Sequence, residues 1–351
     1  MFRKLYHTLL LTSSFHLSQA QTVFQFQGKE IKPGTTENFM VPVTSGNDAT
    51  FIPITVFSGA KQGKTIGITA GVHGYEYAPI LGAQRLTRSI DAKKLEGVVI
   101  LVQIANFESF KGRSPYVNPI DKKNLNRSFP GSANGTLTDQ VAHFITEQVI
   151  AKSDFFLDMH SGDAPEDLYP YGAYYSNSKM PEISKLGKEM AIALGYEYLV
   201  NFNTDGKKYM DKNELSLYCT AEAFKRGIPS VDIECGRLGL IEASAVGSIE
   251  KSVLNLLAHL KMLPKEKAPN SSPKPKEILS RSYLSSKNNG FFYPLKKAGD
   301  IVKKGTQLGY TTDYFGNTIE KFYAEEEGLI LMILSTPPVN IKEDVVVVGK
   351  L

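Results

Sequence analysis

The chain has 351 residues, more than one compact domain usually holds, and a formal net charge of +4. Hydrophobic residues make up 42% and charged residues 22% of the sequence, as in ordinary soluble globular proteins. The basic residues are not gathered into one patch with interleaved aromatic residues, which argues against a nucleic-acid partner. No segment after the N-terminus is apolar enough to span a bilayer, so no membrane span is expected.

The first 20 residues have the features of an export signal. Arg3 and Lys4 form a basic start, a short apolar run begins at Leu9, and Ser18 and Ala20 are the small residues that a signal peptidase reads. We therefore expect cleavage after Ala20 and a periplasmic or secreted protein. The alternative is a disordered cytosolic N-terminus.

Strand-like and helix-like segments alternate between residues 21 and 262. Strands are predicted at Glu37–Val43, Thr50–Phe57, Thr65–Ala70, Val98–Ile104, Asp154–Met159 and Ser230–Ile233, and helices at Glu76–Ile90, Thr138–Lys152, Pro181–Leu194, Glu214–Arg226 and Val246–Met262. This alternation predicts an α/β fold with a mainly parallel (mixed) sheet and helices on both faces, forming one domain over 21–262. In such a sheet the ligand lies beyond the carboxyl ends of the strands.

The C-terminal part has a different composition. Residues 263–276, LPKEKAPNSSPKPK, contain four prolines and no apolar period, which predicts a linker. Residues 277–351 contain short apolar runs separated by glycines, which predicts a small all-β module. The two cysteines are too few for a disulfide framework, and whether they pair stays open.

Two histidines and a glutamate are predicted to meet at the edge of the sheet where the parallel strands have their carboxyl ends. His73 and Glu76 follow the strand that ends at Ala70 and are three residues apart at the start of a helix, so they reach the same side. His160 follows the strand Asp154–Met159. Two imidazoles and one carboxylate form a common ligand set for catalytic zinc, which keeps a fourth position for water. We predict one Zn²⁺ per chain here; the alternative is that both histidines are hydrogen-bonded loop residues.

Further polar residues follow other strands of the predicted sheet. Glu234 ends the strand that begins at Ser230, and a carboxylate there can take a proton from water and return it to a leaving amine. The alternative is a surface salt-bridge residue. Arg113 and Arg127 lie in one polar loop and offer planar donors suited to a carboxylate or an oxyanion, and Asn126 can bind one oxygen by its amide. Either arginine alone could instead be a solvated surface charge.

Four strings, HGYE, NLNRSFPG, DMHSG and IECG, occur in this order and resemble the succinylglutamate desuccinylase/aspartoacylase family of the zinc carboxypeptidase superfamily, over about Thr65 to Met262. The resemblance implies a zinc carboxypeptidase-like fold and a deacylase acting on a small N-acyl substrate that carries a carboxylate. Carried over position by position, the family's functional residues are the zinc ligands His73, Glu76 and His160, the general base Glu234, the carbonyl or transition-state arginine Arg113, and the substrate-carboxylate pair Asn126 and Arg127.

The resemblance leaves one functional position unmatched. The family's second substrate arginine, between His160 and Glu234, has no clear equivalent, and Lys207, Lys208 and Lys212 are the candidates. The tail resembles the barrel-sandwich hybrid module appended to such deacylases. Its predicted turn has no lysine at the tip to carry a prosthetic group, so a lid or dimerisation role is expected.

Two rival functions stay open. One is a zinc carboxypeptidase acting on peptides or cell-wall stem peptides; against it, Glu76 and His160 are 84 positions apart, a spacing that with NLNR resembles the deacylase branch. The other is a catalytically inactive binding protein, which zinc content would help to distinguish. The sequence leaves open whether the chain forms a homo-oligomer.

Overall fold

A computed structural model describes residues 21–264 and 274–351. The predicted signal peptide, residues 1–20, lies outside the described residues, and so does most of the predicted linker. Among the described residues, no helix combines the length and the apolar character needed to cross a bilayer. Cys219 and Cys235 are both buried, free thiols.

The first 264 residues contain eleven of the described strands and all of the described α-helices. As far as His160 the elements are β1 (Phe24–Phe26), β2 (Lys29–Ile31), β3 (Thr35–Ser45), β4 (Asp48–Ser58), β5 (Lys61–Ala70), α1 (Tyr77–Ser89), β6 (Glu96–Val102), α2 (Phe107–Gly112), α3 (Leu137–Gln148) and β7 (Phe155–His160). They continue with β8 (Glu166–Leu168), β9 (Tyr171–Ser176), α4 (Pro181–Leu194), β10 (Tyr198–Asn203), α5 (Cys219–Lys225), β11 (Ser230–Glu234) and α6 (Ala243–His259).

The C-terminal part consists of strands. They are β12 (Lys276–Ile278), β13 (Arg281–Ser285), β14 (Gly290–Pro294), β15 (Ile301–Val302), β16 (Gln307–Thr312), β17 (Thr318–Tyr323), β18 (Gly328–Leu334), β19 (Pro338–Val339) and β20 (Asp344–Lys350).

Nine strands form the main sheet in the order β12-β10-β9-β11-β7-β5-β6-β4-β3. The central strands β6, β5, β7 and β11 are parallel, and β12 and β10 are parallel to β9. The pairs β3–β4, β4–β6 and β9–β11 are antiparallel. The sheet is therefore mixed and mainly parallel, which confirms the predicted fold class.

Helices cover both faces of this sheet. Helices α1, α4 and α6 bury one face together with side chains such as Ile68, Leu157 and Ile233. Helices α3 and α5 bury the other face against Ile100 and Phe156. Strand β6 is buried on both faces, because its near-continuous β-branched sequence offers an apolar side chain to each layer. Strands β5, β7 and β11 end at the same edge, which places Ala70, His160 and Glu234 near one another.

The chain between β7 and β11 differs from the prediction. Strands β9 and β10 were not predicted, because their tyrosine- and asparagine-containing sequences lack a clear apolar period. The predicted helix Glu214–Arg226 is wrong at its start, because α5 begins only at Cys219. The preceding loop is instead fastened to α5 by the Lys225 ammonium, which donates to the carbonyl oxygens of Tyr209 (3.1 Å) and Glu214 (2.7 Å).

The C-terminal strands form two antiparallel sheets around a small core of their own. They are also joined to the first 264 residues by backbone pairing: β12 extends the main sheet beside β10, and β8 pairs with β18. A second apolar cluster lies at this junction and includes Tyr171, Tyr198, Ile278, Leu331 and Val347. The β module is therefore held against the main sheet on the side of β9 and β10.

Candidate active site

His73 and Glu76 lie in a tight turn between β5 and α1. Gly71 has a positive φ of 67°, and a Cβ at Gly74 would lie 2.1 Å from the backbone nitrogen of Phe110, so this turn packs directly on α2. The Glu76 N–H donates to the His73 carbonyl (3.3 Å), and α1 begins at the next residue. This folding brings the His73 Nδ1 to 2.7 Å from the Glu76 Oε1.

His160 completes the predicted set from the end of β7. Its Nδ1 lies 2.9 Å from the second carboxylate oxygen of Glu76, and its ring centre is 5.3 Å from that of His73. One donor atom from each of the three residues lies within 4.8 Å of the others. The structure thus brings the three predicted ligands together in a largely buried position.

The outward nitrogens of both imidazoles are held by residues that the sequence analysis did not assign. The His160 Nε2 lies 2.9 Å from the Asp158 Oδ2, and the His73 Nε2 lies 3.1 Å from the Asn124 Oδ1. Asp158 also accepts from the Thr69 hydroxyl (2.6 Å). Such partners fix ring orientation and raise ligand basicity, as they do around bound metals. The signal for Asp158 was available, since residues two apart on a strand share a face.

The charges at this centre favour a cation. Although burial opposes ionisation, the imidazoles of His160 and His73 lower the pKa of Glu76 to about 2. Burial also disfavours a charged His160, yet the carboxylates of Asp158 and Glu76 raise its pKa well above the ordinary value. Two imidazoles, each backed by a second side chain, and one ionised carboxylate fit the donor set of a catalytic zinc ion.

Two further acidic residues follow β7: Asp163 in the loop and Glu166 at the start of β8. Burial raises the pKa of Asp163 to about 6 and that of Glu166 to about 7, and the negative charge of Glu76 adds to both shifts. Asp163 accepts from the Tyr116 N–H (2.9 Å), and the Tyr116 ring meets the His73 ring edge-on at 5.9 Å. A cation bound at the histidines would offset the negative charge of Glu76 and so favour the ionised forms of Asp163 and Glu166.

Glu234 ends β11 directly beside His160. The two residues are paired in the parallel β7–β11 register, and Glu234 is paired with Tyr171 on its other side. Burial raises the pKa of Glu234 well above that of an ordinary glutamate; His160 opposes this shift, whereas the carboxylate of Glu76 adds to it. A carboxyl group with a raised pKa beside a metal position is suited to proton transfer.

The NLNR segment connects the centre to α5. Asn124 contacts His73, and the Asn126 Oδ1 accepts from the Cys219 N–H (3.0 Å) at the start of α5. The Arg127 guanidinium donates to the Asn126 carbonyl (2.6 Å) and lies 4.7 Å from the centre of the Tyr218 ring. Asn126 and Arg127 are therefore close to the centre, and their role in substrate binding stays a prediction.

Arg113 is the predicted residue that the structure does not bring to the ligands. It follows α2 in a left-handed conformation (φ 49°), is exposed, and lines a cavity of about 910 Å³ together with Tyr77 and Phe110. Among the described residues, no hydrogen bond or ion pair joins Arg113 to a predicted metal ligand. The candidate cation Lys208 is paired with Glu214 (3.2 Å) on the exposed loop before α5.

Comparison with known proteins identifies the fold and the family. A sequence profile of the succinylglutamate desuccinylase/aspartoacylase catalytic domain matches residues 62–260, which is more than half of the chain. The chain belongs to the succinylglutamate desuccinylase/aspartoacylase family. One relative is the N-alpha-acetyl-L-2,4-diaminobutyric acid deacetylase of Halomonas elongata, which is 28% identical over 308 residues that cover 86% of each chain.

Solved structures of similar fold cover most of this family member. The product-bound ectoine utilization protein EutE (DoeB) of Ruegeria pomeroyi has a TM-score of 0.79 at 24% identity, and covers 90% of this chain and 95% of its own. A succinylglutamate desuccinylase/aspartoacylase of Rhodobacter sphaeroides has a TM-score of 0.76 at 24% identity, covering 89% and 95%. At these identities the likeness supports the fold, including the C-terminal β module.

Asp158 offers a test of the metal centre that leaves all three predicted ligands in place. Replacing Asp158 by Asn removes the negative charge that holds the His160 ring, so zinc affinity is expected to fall about 10- to 100-fold. The measurement is a competition titration with a chromophoric chelator. Asp48→Asn, at an exposed aspartate at the start of β4, is the control. Equal affinities of Asp158→Asn and the unmodified protein would contradict this role.

Proposed function

We propose that this family member is a zinc-dependent deacylase that hydrolyses the amide bond of a small N-acylated amino acid. The observation that supports it most is the convergence of His73, Glu76 and His160 with Glu234 in the adjacent strand. This arrangement combines a three-ligand metal position with a separate carboxyl group for proton transfer. The named activity of the Halomonas relative, removal of an acetyl group from an amino acid, has the same chemistry.

The metal supplies one part of the chemistry and the side chains supply the rest. His73, Glu76 and His160 would hold a zinc ion, which would supply Lewis-acid polarisation of the amide carbonyl and a lower pKa of water. Glu234 takes the proton of the attacking water and delivers it to the leaving nitrogen, so one carboxyl group serves both proton transfers. His73 and His160 keep their ligand nitrogens aimed at Glu76, because Asn124 and Asp158 hold the opposite ring atoms.

Substrate binding is assigned to the NLNR segment. Arg127 presents a guanidinium beside the aromatic ring of Tyr218, and Asn126 offers its amide nitrogen, so together they suit a substrate carboxylate. Arg113 keeps the role of stabilising the developing oxyanion in this proposal, on the ground of its position in the family pattern. That role requires its exposed side chain to reach the carbonyl.

A substrate panel on one zinc-loaded sample tests the proposal. It contains acetyl, formyl and succinyl derivatives of amino acids, Nα-acetyl-L-2,4-diaminobutyrate and a set of dipeptides, with release of free amine as the measurement and zinc content determined in parallel. We expect turnover of N-acyl amino acids and only background cleavage of dipeptides. Faster cleavage of dipeptides would replace the proposal by a carboxypeptidase. No turnover despite bound zinc would favour a binding protein.

A further inference from the structure

Arg281 begins β13, the strand after β12, and its guanidinium lies over the ring of Phe202 in β10 of the main sheet. Two sheets fix its position: β12, three residues before it, pairs with β10, and Arg281 itself is paired with Gly349 in β20. Ile278 of β12 is fully buried at the junction. The backbone of Arg281 is therefore held in place from both sides.

The guanidinium of Arg281 is stacked on aromatic rings and has no acidic partner. Its central carbon lies 4.3 Å from the ring centre of Phe202 in β10 and 5.5 Å from that of Tyr283, two residues along the same strand. Within residues 21–264 and 274–351, Arg281 makes no ion pair and no side-chain hydrogen bond. Stacking uses the flat face of a guanidinium and leaves its N–H edges free to bind a carboxylate.

Arg281 is within electrostatic reach of the catalytic strands. Burial raises the pKa of Tyr171, the Glu234 carboxylate raises it further, and the Arg281 guanidinium opposes both. Burial likewise raises the pKa of Asp232 to about 7, with Asp158 adding to the shift and Arg281 again opposing it. The strand order agrees with this: Glu234 is paired with Tyr171 of β9, and β9 is paired with β10, whose Phe202 lies under the Arg281 guanidinium.

Arg127 and Arg281, neither of which forms an ion pair within the described residues, both stack on aromatic rings of one region. Arg127 is stacked on Tyr218, whose ring meets that of Tyr209 at 5.4 Å. Phe202, which lies under the Arg281 guanidinium, packs with Tyr209 and Tyr218 against one buried cluster of Tyr175, Ala221 and Phe224. This cluster therefore joins the Arg281 stack to the Arg127 stack.

We propose that Arg281 binds a carboxylate of the substrate and is the second guanidinium of the substrate site beside Arg127. This inference rests on the proposed function. It assigns to the β module a part of the substrate site, so that the module takes part in specificity as well as in stability. It also places the second substrate cation after Glu234 in the sequence, rather than among the lysines of the loop before α5.

The test compares substrates that differ only in one carboxylate. Unmodified protein, Arg281→Gln and Arg281→Lys are assayed with an N-acetyl amino acid and its carboxamide, and with a succinyl amino acid and its succinamyl analogue. Loss of a charge-assisted hydrogen bond is expected to lower kcat/KM for a carboxylate substrate about 10- to 100-fold more than for its neutral analogue. The substrate pair that shows this difference identifies the end of the substrate that Arg281 binds. The kcat/KM of Arg281→Lys for the carboxylate substrate should lie between those of the unmodified protein and Arg281→Gln, because lysine keeps the charge but lacks the planar guanidinium.

Two controls separate this inference from a structural role of Arg281 and from failure of the proposed function. Lys303→Gln removes an exposed charge from the same module, and thermal unfolding checks that each variant is folded. Binding of succinate and of free amino acids is measured by calorimetry, which does not depend on enzymatic activity. The unmodified protein should bind one of these ligands, and Arg281→Gln should weaken that binding about 10- to 100-fold. If Arg281→Gln lowered kcat/KM equally for the carboxylate substrates and their amide analogues, or bound both ligands as tightly as the unmodified protein does, the assignment would be overturned even if the enzyme is a deacylase.

Discussion

Glu234→Gln is expected to lower kcat about 10²- to 10⁴-fold while zinc stays bound. The amide keeps the shape of the side chain at the end of β11, but it can neither take a proton from water nor return one to the leaving nitrogen. Glu234 is not one of the three predicted ligands, so the metal position is left intact. The measurement is kcat from steady-state rates with the best substrate of the panel, together with zinc content by elemental analysis.

The controls for this variant are provided by the same fold. Glu182→Gln changes an exposed glutamate in the first turn of α4 and should leave kcat unchanged. Glu234→Asp keeps the carboxyl group but moves it by one methylene, so a partial activity is expected, because proton transfer depends on hydrogen-bonding distance. If Glu234→Gln kept near-normal turnover with zinc bound, Glu234 would lose its role as the proton carrier.

Removal of the metal is expected to abolish turnover. Chelation of the unmodified protein should reduce activity to background, and added Zn²⁺ should restore it, since the three ligands offer no replacement for a Lewis acid. His160→Ala should bind zinc weaker by orders of magnitude, because a catalytic zinc site usually has only three protein ligands. Activity and zinc content are followed together through removal and reconstitution.

His160→Ala also changes the folded state, so chelation is the more direct experiment. The substitution leaves the buried Asp158 carboxylate with Thr69 as its remaining side-chain hydrogen-bond partner among the described residues, which is expected to destabilise the protein by about 1–3 kcal/mol. Thermal unfolding of chelated and zinc-loaded protein should show a higher midpoint for the loaded form, because a ligand bound only to the folded state stabilises it. Full turnover after complete removal of the metal would reject a metal-dependent mechanism.

Strand ends were readable from the sequence, and with them most of the candidate active site. A short apolar run that stops at a polar residue marks the end of a buried strand, as it does before His73, His160 and Glu234. Parallel neighbouring strands end at one edge of a sheet. His160 and Glu234, which are 74 positions apart in the sequence, could therefore be predicted to lie side by side from the strand ends alone. Family membership follows from the same short strings.

Other features depended on pairings that no local pattern contains. Strand β9 is antiparallel to β11. Strand β12, which follows the linker in sequence, pairs with β10, and this pairing places Arg281 beside Phe202. A strand's partner is decided by burial and backbone hydrogen bonding with distant segments, not by its own few residues. The helix predicted from Glu214 failed for the same reason, since tertiary contacts of Lys225 hold that segment as a loop.

The sequence by itself determined the fold class and the family, and it predicted the three candidate ligands and the adjacent carboxyl group that the structure brings together, because periodicity and strand-end chemistry are local properties. Only the tertiary structure decided which groups orient the imidazoles, where Arg113 lies, and which cation the β module contributes. Those outcomes depend on distances of a few ångströms between segments far apart in the chain. Such distances are set by register and packing, which arise only when the whole chain is folded.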